Sequence, residues 1–431
     1  MLRLARTQFG RRVSTTFLRQ VIALVLSTAT GAIIARWLGR EGKGVLSLAQ
    51  MVPGMLALFL SAGVGVANVY FAGSRRLGVA SLTANSTGFG LLASVVGVVV
   101  LVGSVVTGGL EALVPNVPAG LVLLAAAGLP FSLLSGYFNC ILQGMQRIIM
   151  VNMINLVIAA LSLALTAILI VFLKLGILGG LLASLATGAV GVAASAVILR
   201  REGGVFAPRL ERRVVFPLLS FGLRGHVGNV LQFFNYRLDV FIVNYFLGPA
   251  GVGVYGVSVG LAELLWYLPN AVSFVIYPKA AATRPEAMNT FTPPVFRLTL
   301  LLTAFGGAGL ALFAKSLIKL IYSSAFLDAY VPMLALLPGT ILLGAGKVLT
   351  NEIAGRGYPH YNSINAGVAL ALTVALDLLL IPRYGILGAA VASSVAYSAI
   401  FVTAVVFYRT VSRKTSQRSA SFSAPVGNGN S

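Results

Sequence analysis

Long apolar stretches alternate with short breaks of Gly, Pro and Arg along the whole 431-residue chain. Each stretch has about 20 residues or more, and a helix of that length, rising 1.5 Å per residue, crosses a bilayer. The pattern therefore predicts an all-α integral membrane protein with about twelve transmembrane helices. The predicted spans are 14–35, 45–72, 83–107, 119–142, 150–173, 177–199, 216–246, 252–277, 298–321, 332–353, 362–381 and 386–408.

The seventh predicted span carries a stripe of polar positions that recur every three or four residues and so share one face of a helix. The members of this polar stripe are Arg224, Gly228, Gln232, Asn235 and Asp239. A central Arg or Asp in hydrocarbon costs roughly 2.5–3.5 kcal/mol, so we expect the stripe to face protein or a watery cavity. It is either a network that joins helices or the wall of a polar pathway through the membrane.

Composition agrees with a membrane protein, since 58% of the residues are hydrophobic and only 10% are charged. The net charge of +21 does not indicate nucleic acid, because the cations lie mostly between apolar runs. The single cysteine, Cys140, excludes an intrachain disulfide, and His226 and His360 are far apart. We therefore expect no metal site and no cofactor. We also expect no cleavable signal peptide.

The distribution of Lys and Arg predicts the orientation. If the N-terminus, the loop at 200–213 and the C-terminus share one side, that side holds 20 of the 31 cations and the other side holds 7. Cytoplasmic loops carry an excess of Lys and Arg. The sequence thus predicts a multi-pass protein of the cytoplasmic (inner) membrane with both termini in the cytoplasm.

Three segments recur at nearly one offset, which indicates an internal duplication. Residues 37–45 match 246–254 and residues 176–180 match 385–389, both at an offset of 209, and Asn152 and Asn155 match Asn362 and Asn365 at 210. An even number of spans per copy makes the copies parallel, with a pseudo-twofold axis along the membrane normal and substrate sites between them. The predicted units are an N-terminal six-helix lobe (1–199), a basic cytoplasmic linker (200–213), a C-terminal six-helix lobe (214–408) and a disordered cytoplasmic tail (409–431).

Short motifs in these segments resemble those of the multidrug/oligosaccharidyl-lipid/polysaccharide (MOP) exporter superfamily, and more narrowly its polysaccharide flippases. The segments 38–44 and 247–253 are similar to an "LGPxxfG" signature, and 142–147 resembles an "LqGxxr" helix end with a weaker copy at 354–357. Pro269 and Pro278 match prolines in and after the eighth span. The resemblance covers about residues 10–408 and departs from the signature at Arg40, which stands where the family usually has Pro.

This resemblance implies a MATE-like fold in which two helix bundles enclose a central cavity and work by alternating access. The implied cargo is an oligosaccharide on polyprenyl pyrophosphate, moved from the inner to the outer leaflet for cell-surface polysaccharides such as O-antigen. Membrane lipid and a polysaccharide polymerase are the expected partners. A transporter of this kind has no catalytic residues.

A pyrophosphate needs cationic partners in the cavity. Arg224 is the main candidate, about 12 Å from the inner end of its span by helix rise, and its stripe is expected to face the lobe interface. The other predicted substrate-binding residues are Gln232, Asn235, Arg19 and Lys347. Arg19 is explained equally well as a side chain that snorkels to the membrane surface.

Four acids fall inside predicted spans, although the chain has only ten in total: Asp239, Glu263, Glu352 and Asp377. They are candidates for coupling transport to H⁺ or Na⁺. The alternative is neutralisation of Arg237, Arg224 or Lys347 in ion pairs, and the sequence leaves the two interpretations open.

Two other functions compete with the flippase. A cation-coupled multidrug exporter of the same superfamily needs an apolar aromatic pocket and an acid-rich lobe, which the basic balance and Arg224 disfavour. A membrane glycosyltransferase or polymerase normally needs paired acids or a sizeable catalytic loop outside the membrane. No loop between the predicted spans exceeds roughly 20 residues.

Overall fold

The computed structural model describes the backbone of residues 8–422 and the side chains of residues 21–413, except those at 225, 278 and 282. Within these residues every regular element is helical. The helices are α1 (Gln8–Leu60), α2 (Val64–Gly73), α3 (Val79–Val106), α4 (Gly109–Leu113), α5 (Ala119–Ala126), α6 (Leu129–Gly144), α7 (Ile148–Thr166), α8 (Gly176–Arg201), α9 (Arg212–Glu263), α10 (Tyr267–Ala282), α11 (Pro285–Ile321), α12 (Tyr330–Gly355) and α13 (His360–Phe422). A π-helical turn (Ala167–Phe172) extends α7, and 3₁₀ turns (Leu264–Trp266, Ser324–Ala329) precede α10 and α12.

The described part contains nine helical stretches long and apolar enough to cross a membrane, and each of the twelve predicted spans overlaps one of them. The counts differ because α1, α9 and α13 each contain two spans joined at a sharp reversal. Each reversal has one glycine with a positive φ: Gly39 (69°), Gly248 (69°) and Gly385 (58°). Only glycine adopts this conformation without a steric penalty. We call the side of the bundle with these reversals the turn end, and the opposite side, which holds residues 200–213, the linker end.

The reversals in α1 and α9 have the same geometry, as the offset of 209 predicts. Gly39 and Gly248 have ψ values of −170° and −177°. Five residues later the two helices cross, so that a Cβ on Gly44 would collide with the carbonyl of Pro249, and one on Gly253 with the carbonyl of Arg40. Small residues permit such close backbone approach in membranes. The crossing holds the first six spans (the N-terminal half) against the last six (the C-terminal half).

A second contact between the halves lies towards the linker end, where the second span is broken. Ala62 and Gly63 have φ values of 47° and 71°, and the carbonyl of Ser61 accepts from the Val64 amide at 2.9 Å and from the Tyr137 hydroxyl at 3.3 Å. A Cβ on Gly63 would collide with the backbone of Gly222 in α9, and one on Gly222 with that of Gly63. Next to this glycine pair the rings of Tyr70 and Phe221 stack with centroids 4.4 Å apart.

The linker is held against the start of α3 by backbone hydrogen bonds. The Val205 amide donates to the Thr83 hydroxyl at 2.9 Å, and the Glu211 amide donates to the Asn85 side-chain oxygen at 2.7 Å. Phe206 packs edge-on against Phe138, with ring centroids 5.3 Å apart. Outside this core, α3 presents a row of exposed valines that faces lipid (Val95, Val99, Val102 and Val106).

The last helix is longer than the sequence predicts. We expected disorder over 409–431, but α13 continues to Phe422. Residues 409–422 contain neither Gly nor Pro, which begin at Pro425, so nothing in this segment breaks the helix. Residues 423–431 lie outside the described part.

Candidate functional site

The polar stripe of α9 faces α13 in the same half of the molecule. The Asn235 amide donates to the carbonyl of Ala366 at 2.8 Å, and Gly228 lies opposite Ser363, with a Cβ there 3.8 Å from the hydroxyl oxygen. The expectation that the stripe faces the interface between lobes is therefore wrong. The face of α9 that meets the N-terminal half carries Gly222, because that contact needs a residue small enough for close backbone approach.

Asp239 is buried at the far end of the stripe and is fully hydrogen-bonded. The Tyr255 hydroxyl donates to its Oδ2 at 2.6 Å, the Ser393 hydroxyl donates to the same oxygen at 3.3 Å, and the Val240 amide donates to Oδ1 at 2.8 Å. These donors come from both parts of α9 and from α13. They hold the carboxyl in one orientation inside the C-terminal half.

Asp377 on α13 is also fully buried, but neither carboxyl oxygen has a hydrogen-bond partner among the described residues. One turn earlier, the hydroxyl of Thr373 is likewise buried and unpartnered there. Asp377 interacts electrostatically with Asp239. Buried oxygens without donors are costly in a membrane unless a proton or a cation satisfies them.

The two intramembrane glutamates differ from the aspartates because each is paired with an arginine. Glu263 bonds Arg237 through both oxygens, at 3.0 and 3.4 Å. Glu352 bonds Arg356 one turn later on α12, and both side chains are almost fully buried. The geometry favours the ion-pair alternative for these two glutamates and leaves Asp239 and Asp377 as the acids free of a direct arginine partner.

Lys347 and Gln232 line one polar cavity of about 300 Å³ in the C-terminal half. The cavity is lined largely by side-chain amides, with one threonine: Gln232, Asn270, Thr350, Asn351, Asn362 and Asn365. The Lys347 ammonium donates to the Asn270 side-chain oxygen at 3.2 Å and lies 3.9 Å from the centre of the Trp266 ring. The sequence predicted only that Lys347 is a cation inside a span. It could not predict the cavity, because the residues that surround Lys347 come from four separate helices.

Arg224 is exposed near the linker end of α9, and none of the described residues pairs with it or bonds to it. On the other side of the helix, His226 and Asn229 line a cavity of about 330 Å³ between the two halves, beside the break at Gly63. Arg224 thus presents a guanidinium beside the junction of the halves, without a partner in the part of the chain that the structure describes. The side chain of Arg19 lies outside the described residues.

The N-terminal half encloses a larger cavity, of about 510 Å³, and the described residues that line it carry no charge. Hydroxyls and amides supply its polar groups: Gln50, Ser132, Ser135, Asn139, Ser184 and Thr187. This cavity shares Gly54, Ser132 and Gly136 with the cavity at the junction of the halves, so the two are neighbours. The arrangement suits an uncharged, hydroxyl-rich ligand better than an organic cation.

Sequence reasoning missed a pair of arginines that join the halves at the turn end. Arg36 donates to the carbonyls of Leu320 and Ile321 at the end of α11, and Arg40 donates to the carbonyl of Ala325 and pairs with Asp328 at 2.7 Å. We call these contacts the turn-end latch. The count of Lys and Arg in the loops used these arginines only to predict the orientation of the chain. The signal that could have found them is Arg40 itself, which departs from the expected proline.

Comparison with known proteins supports a family for this fold. The polysaccharide biosynthesis protein family matches residues 33–331. A probable low-salt glycan biosynthesis flippase, Agl15 of Haloferax volcanii, is 22% identical over 190 residues, which cover 42% of this chain and 39% of that protein. The chain spans less than half the length of the curated relatives that it matches.

Two solved structures have the same fold over nearly the whole chain. The lipid II flippase MurJ in an inward closed conformation has a TM-score of 0.76 at 14% identity, covering 94% of this chain and 91% of that one. An inward-facing multidrug resistance MATE transporter of the MOP superfamily has a TM-score of 0.71 at 16% identity, covering 92% and 96%. At such low identity these likenesses concern the fold alone. Together with the match over residues 33–331, they lead to one conclusion: the chain belongs to the polysaccharide biosynthesis protein family and has the fold of MOP-superfamily transporters.

Proposed function

We propose that the protein is a flippase for a lipid-linked oligosaccharide, carried on polyprenyl pyrophosphate, in the cytoplasmic membrane. The observation that carries the proposal is the guanidinium of Arg224, without a partner among the described residues, near the linker end of a polysaccharide-family transporter fold. A pyrophosphate has the charge density that such a group binds through paired hydrogen bonds. The similarity to Agl15, a probable glycan biosynthesis flippase, agrees with the proposal.

In this proposal the termini and the linker lie in the cytoplasm, so that Arg224 meets the head group as it enters from the inner leaflet. The two six-helix lobes then rock about the crossing at Gly44 and Gly253 and expose the cavities to each side in turn. The turn-end latch closes the outer side, and the glycine contact at Gly63 and Gly222 closes the inner side. Gln232 and Asn235 lie further along the same helix.

Asp239 and Asp377 are the proposed coupling residues. Both carboxyls are buried and none of the described arginines bonds to either, so they can take up a proton or a small cation such as Na⁺ without breaking an ion pair. The unpartnered oxygens of Asp377 and Thr373 are suitable acceptors for it. Glu263 and Glu352 are assigned structural roles in their arginine pairs.

A reconstituted system tests the function directly. Proteoliposomes that contain a polyprenyl-pyrophosphate-linked oligosaccharide are treated with a membrane-impermeant glycan-modifying reagent, and the accessible fraction is followed with time. We expect the protein to raise this fraction from about half, the value for one exposed leaflet, towards the whole. An unchanged fraction, together with accumulation of a fluorescent organic cation, would replace the proposal with the multidrug-exporter alternative.

A further inference from the structure

Lys347 places a positive charge in its cavity, and within the described part of the chain no acid bonds to it directly. Glu263 is the carboxylate that acts electrostatically on Lys347, but its two oxygens are hydrogen-bonded to Arg237. Glu263 is therefore committed to Arg237, and none of the described carboxylates forms an ion pair with Lys347. A buried charge of this kind is stable only with an anion or strong polar partners.

The partners that the protein offers to Lys347 are incomplete. Its ammonium has three donors, and among the described residues it bonds one acceptor, the Asn270 oxygen. The rings of Trp266 and Tyr236 lie 3.9 and 5.7 Å from the nitrogen and stabilise the cation without accepting a full hydrogen bond. The remaining donor capacity points to a ligand with negatively charged oxygen.

The rest of the lining matches a sugar. Asn351, Asn362 and Asn365 each donate to a backbone carbonyl, but each amide has a second N–H, and Gln232 has no hydrogen bond to the described residues. These groups suit vicinal hydroxyls, and Tyr236 adds an aromatic surface for a pyranose ring. A volume of about 300 Å³ is at the small end of the roughly 300–1,000 Å³ of ligand sites, so the cavity takes a single sugar ring. A pyrophosphate fits less well, since it carries several charges and Lys347 is the one cation in the lining.

We propose that this cavity binds one sugar residue that bears a carboxylate, a uronic acid, with its carboxylate on Lys347 and its hydroxyls on the surrounding amides. The inference rests on the proposed function, because it assigns an acidic residue to the glycan that the flippase carries. The cavity beside Lys347 then selects the glycan, and it is separate from the head-group site at Arg224.

The two tryptophans of the chain provide a direct assay. Trp37 is 54% exposed and distant in sequence from the cavity, whereas Trp266 is buried with Lys347 on its face. In Trp37→Phe protein, purified in detergent, the fluorescence therefore reports Trp266 alone. The probes are methyl glucuronide, methyl glucoside, which has a hydroxymethyl group in place of the carboxylate, and inorganic phosphate.

We expect methyl glucuronide to change the Trp266 emission saturably, and Lys347→Gln to weaken its binding by at least about tenfold. Lys347→Arg keeps the charge and should retain binding, which separates loss of charge from loss of fold. Equal responses to glucoside and glucuronide, or unchanged binding in Lys347→Gln, would overturn the proposal. A phosphate response as strong as that of glucuronide would also overturn it, in favour of a general anion site.

The assay is independent of transport. Arg224→Gln should abolish flipping in proteoliposomes but leave the glucuronide response intact. Loss of flipping activity in the unaltered protein, with the glucuronide response present, would reject the proposed flippase function alone. Flipping without a glucuronide response would reject the sugar site alone.

Discussion

Gly44 and Gly253 occupy equivalent places in a reciprocal crossing, each against the backbone of the helix that carries the other. The carbonyl that Gly44 meets belongs to Pro249, and the one that Gly253 meets belongs to Arg40. Neither position has room for a methyl group. The crossing brings the backbones of the two halves close together at the turn end.

Gly44→Ala and Gly253→Ala should therefore each destabilise the protein by about 1–3 kcal/mol or more, the usual effect of overpacking. The measurement is thermal unfolding in detergent, together with abundance in the membrane. Gly31 and Gly260 are matched controls in the same helices, because a Cβ at either has no neighbour within 4 Å. Alanine at these controls should be neutral or stabilising. Equal stability of all four variants would contradict the close backbone approach at the crossing.

Removal of the turn-end latch should open that end of the molecule. Arg36→Ala with Arg40→Ala deletes the hydrogen bonds to the end of α11 and the ion pair to Asp328, and we expect the open population to rise by about tenfold. Spin labels at residues 41 and 327, in a Cys140→Ser background, measure this population by their distance distribution. Arg383→Ala is the control, since Arg383 is exposed at the same end. An unchanged distribution in the double variant would show that other contacts hold this end closed.

The aspartates and glutamates should give different defects. Asp239→Asn and Asp377→Asn keep the shape of the side chain but lose its charge, so gradient-driven transport should fall more than tenfold while substrate binding persists. Transport and binding are measured on the same proteoliposome preparation. If both variants carry out normal gradient-driven transport, these two residues do not couple transport to an ion.

Glu263→Gln serves as the contrast, because it leaves Arg237 without its partner. The pair is partly exposed, with 37% and 26% of the two side chains accessible, but a cation without a partner inside the membrane is costly, so we expect less folded protein rather than uncoupled transport. The double variant Arg237→Gln with Glu263→Gln should recover part of that stability.

The orientation remains a prediction from the distribution of cations. Reporter fusions after Arg213 and after Arg418 should read cytoplasmic, and a fusion after Asn116 should read external. The reason is the excess of Lys and Arg at the linker end. A cytoplasmic signal at Asn116 would reverse the assignment of the two ends.

The rate of flipping should depend on both the charge and the shape of the side chain at Arg224. Arg224→Ala should eliminate flipping without loss of folded protein, and Arg224→Gln should behave like it, because the head group needs a cation. Arg224→Lys should restore only part of the rate, since an ammonium lacks the guanidinium fork. The assay is the accessible fraction of lipid-linked oligosaccharide, normalised to protein abundance.

Arg200→Ala is the control for this series, because Arg200 is an exposed arginine at the same end of the bundle. It should flip at the normal rate. Full activity of Arg224→Ala at normal abundance would refute the capture of the head group by Arg224.

The spans and the repeat were predictable from the sequence because both are local signals. Hydropathy locates a helix, and the recurrence of 37–45 at 246–254 located the two reversals that the structure shows at Gly39 and Gly248. The break at Ala62 and Gly63 was not predicted. A glycine inside an apolar run looks the same whether the helix continues or bends there.

The candidate site was only partly predictable, because its chemistry depends on which helices meet. The stripe period placed Asn235 and Asp239 on one face, but it could not say that this face meets α13. Asp239 and Asp377 are separated by more than a hundred residues, so their interaction could not be derived from spacing. The pairing of Glu263 with Arg237 was one of several charge combinations that the sequence allowed.

The two closures of the molecule respond differently to salt. The contact of Gly63 with Gly222 is made of backbone, so its formation freezes no rotamers and involves no ionised group. The turn-end latch instead relies on two guanidinium groups and the exposed carboxylate of Asp328, whose attraction dissolved ions screen. Rising ionic strength therefore weakens the turn-end latch but leaves the contact of Gly63 with Gly222 unchanged. In the proposed alternating-access cycle, the salt concentration of the medium should therefore shift the balance between the two facing states.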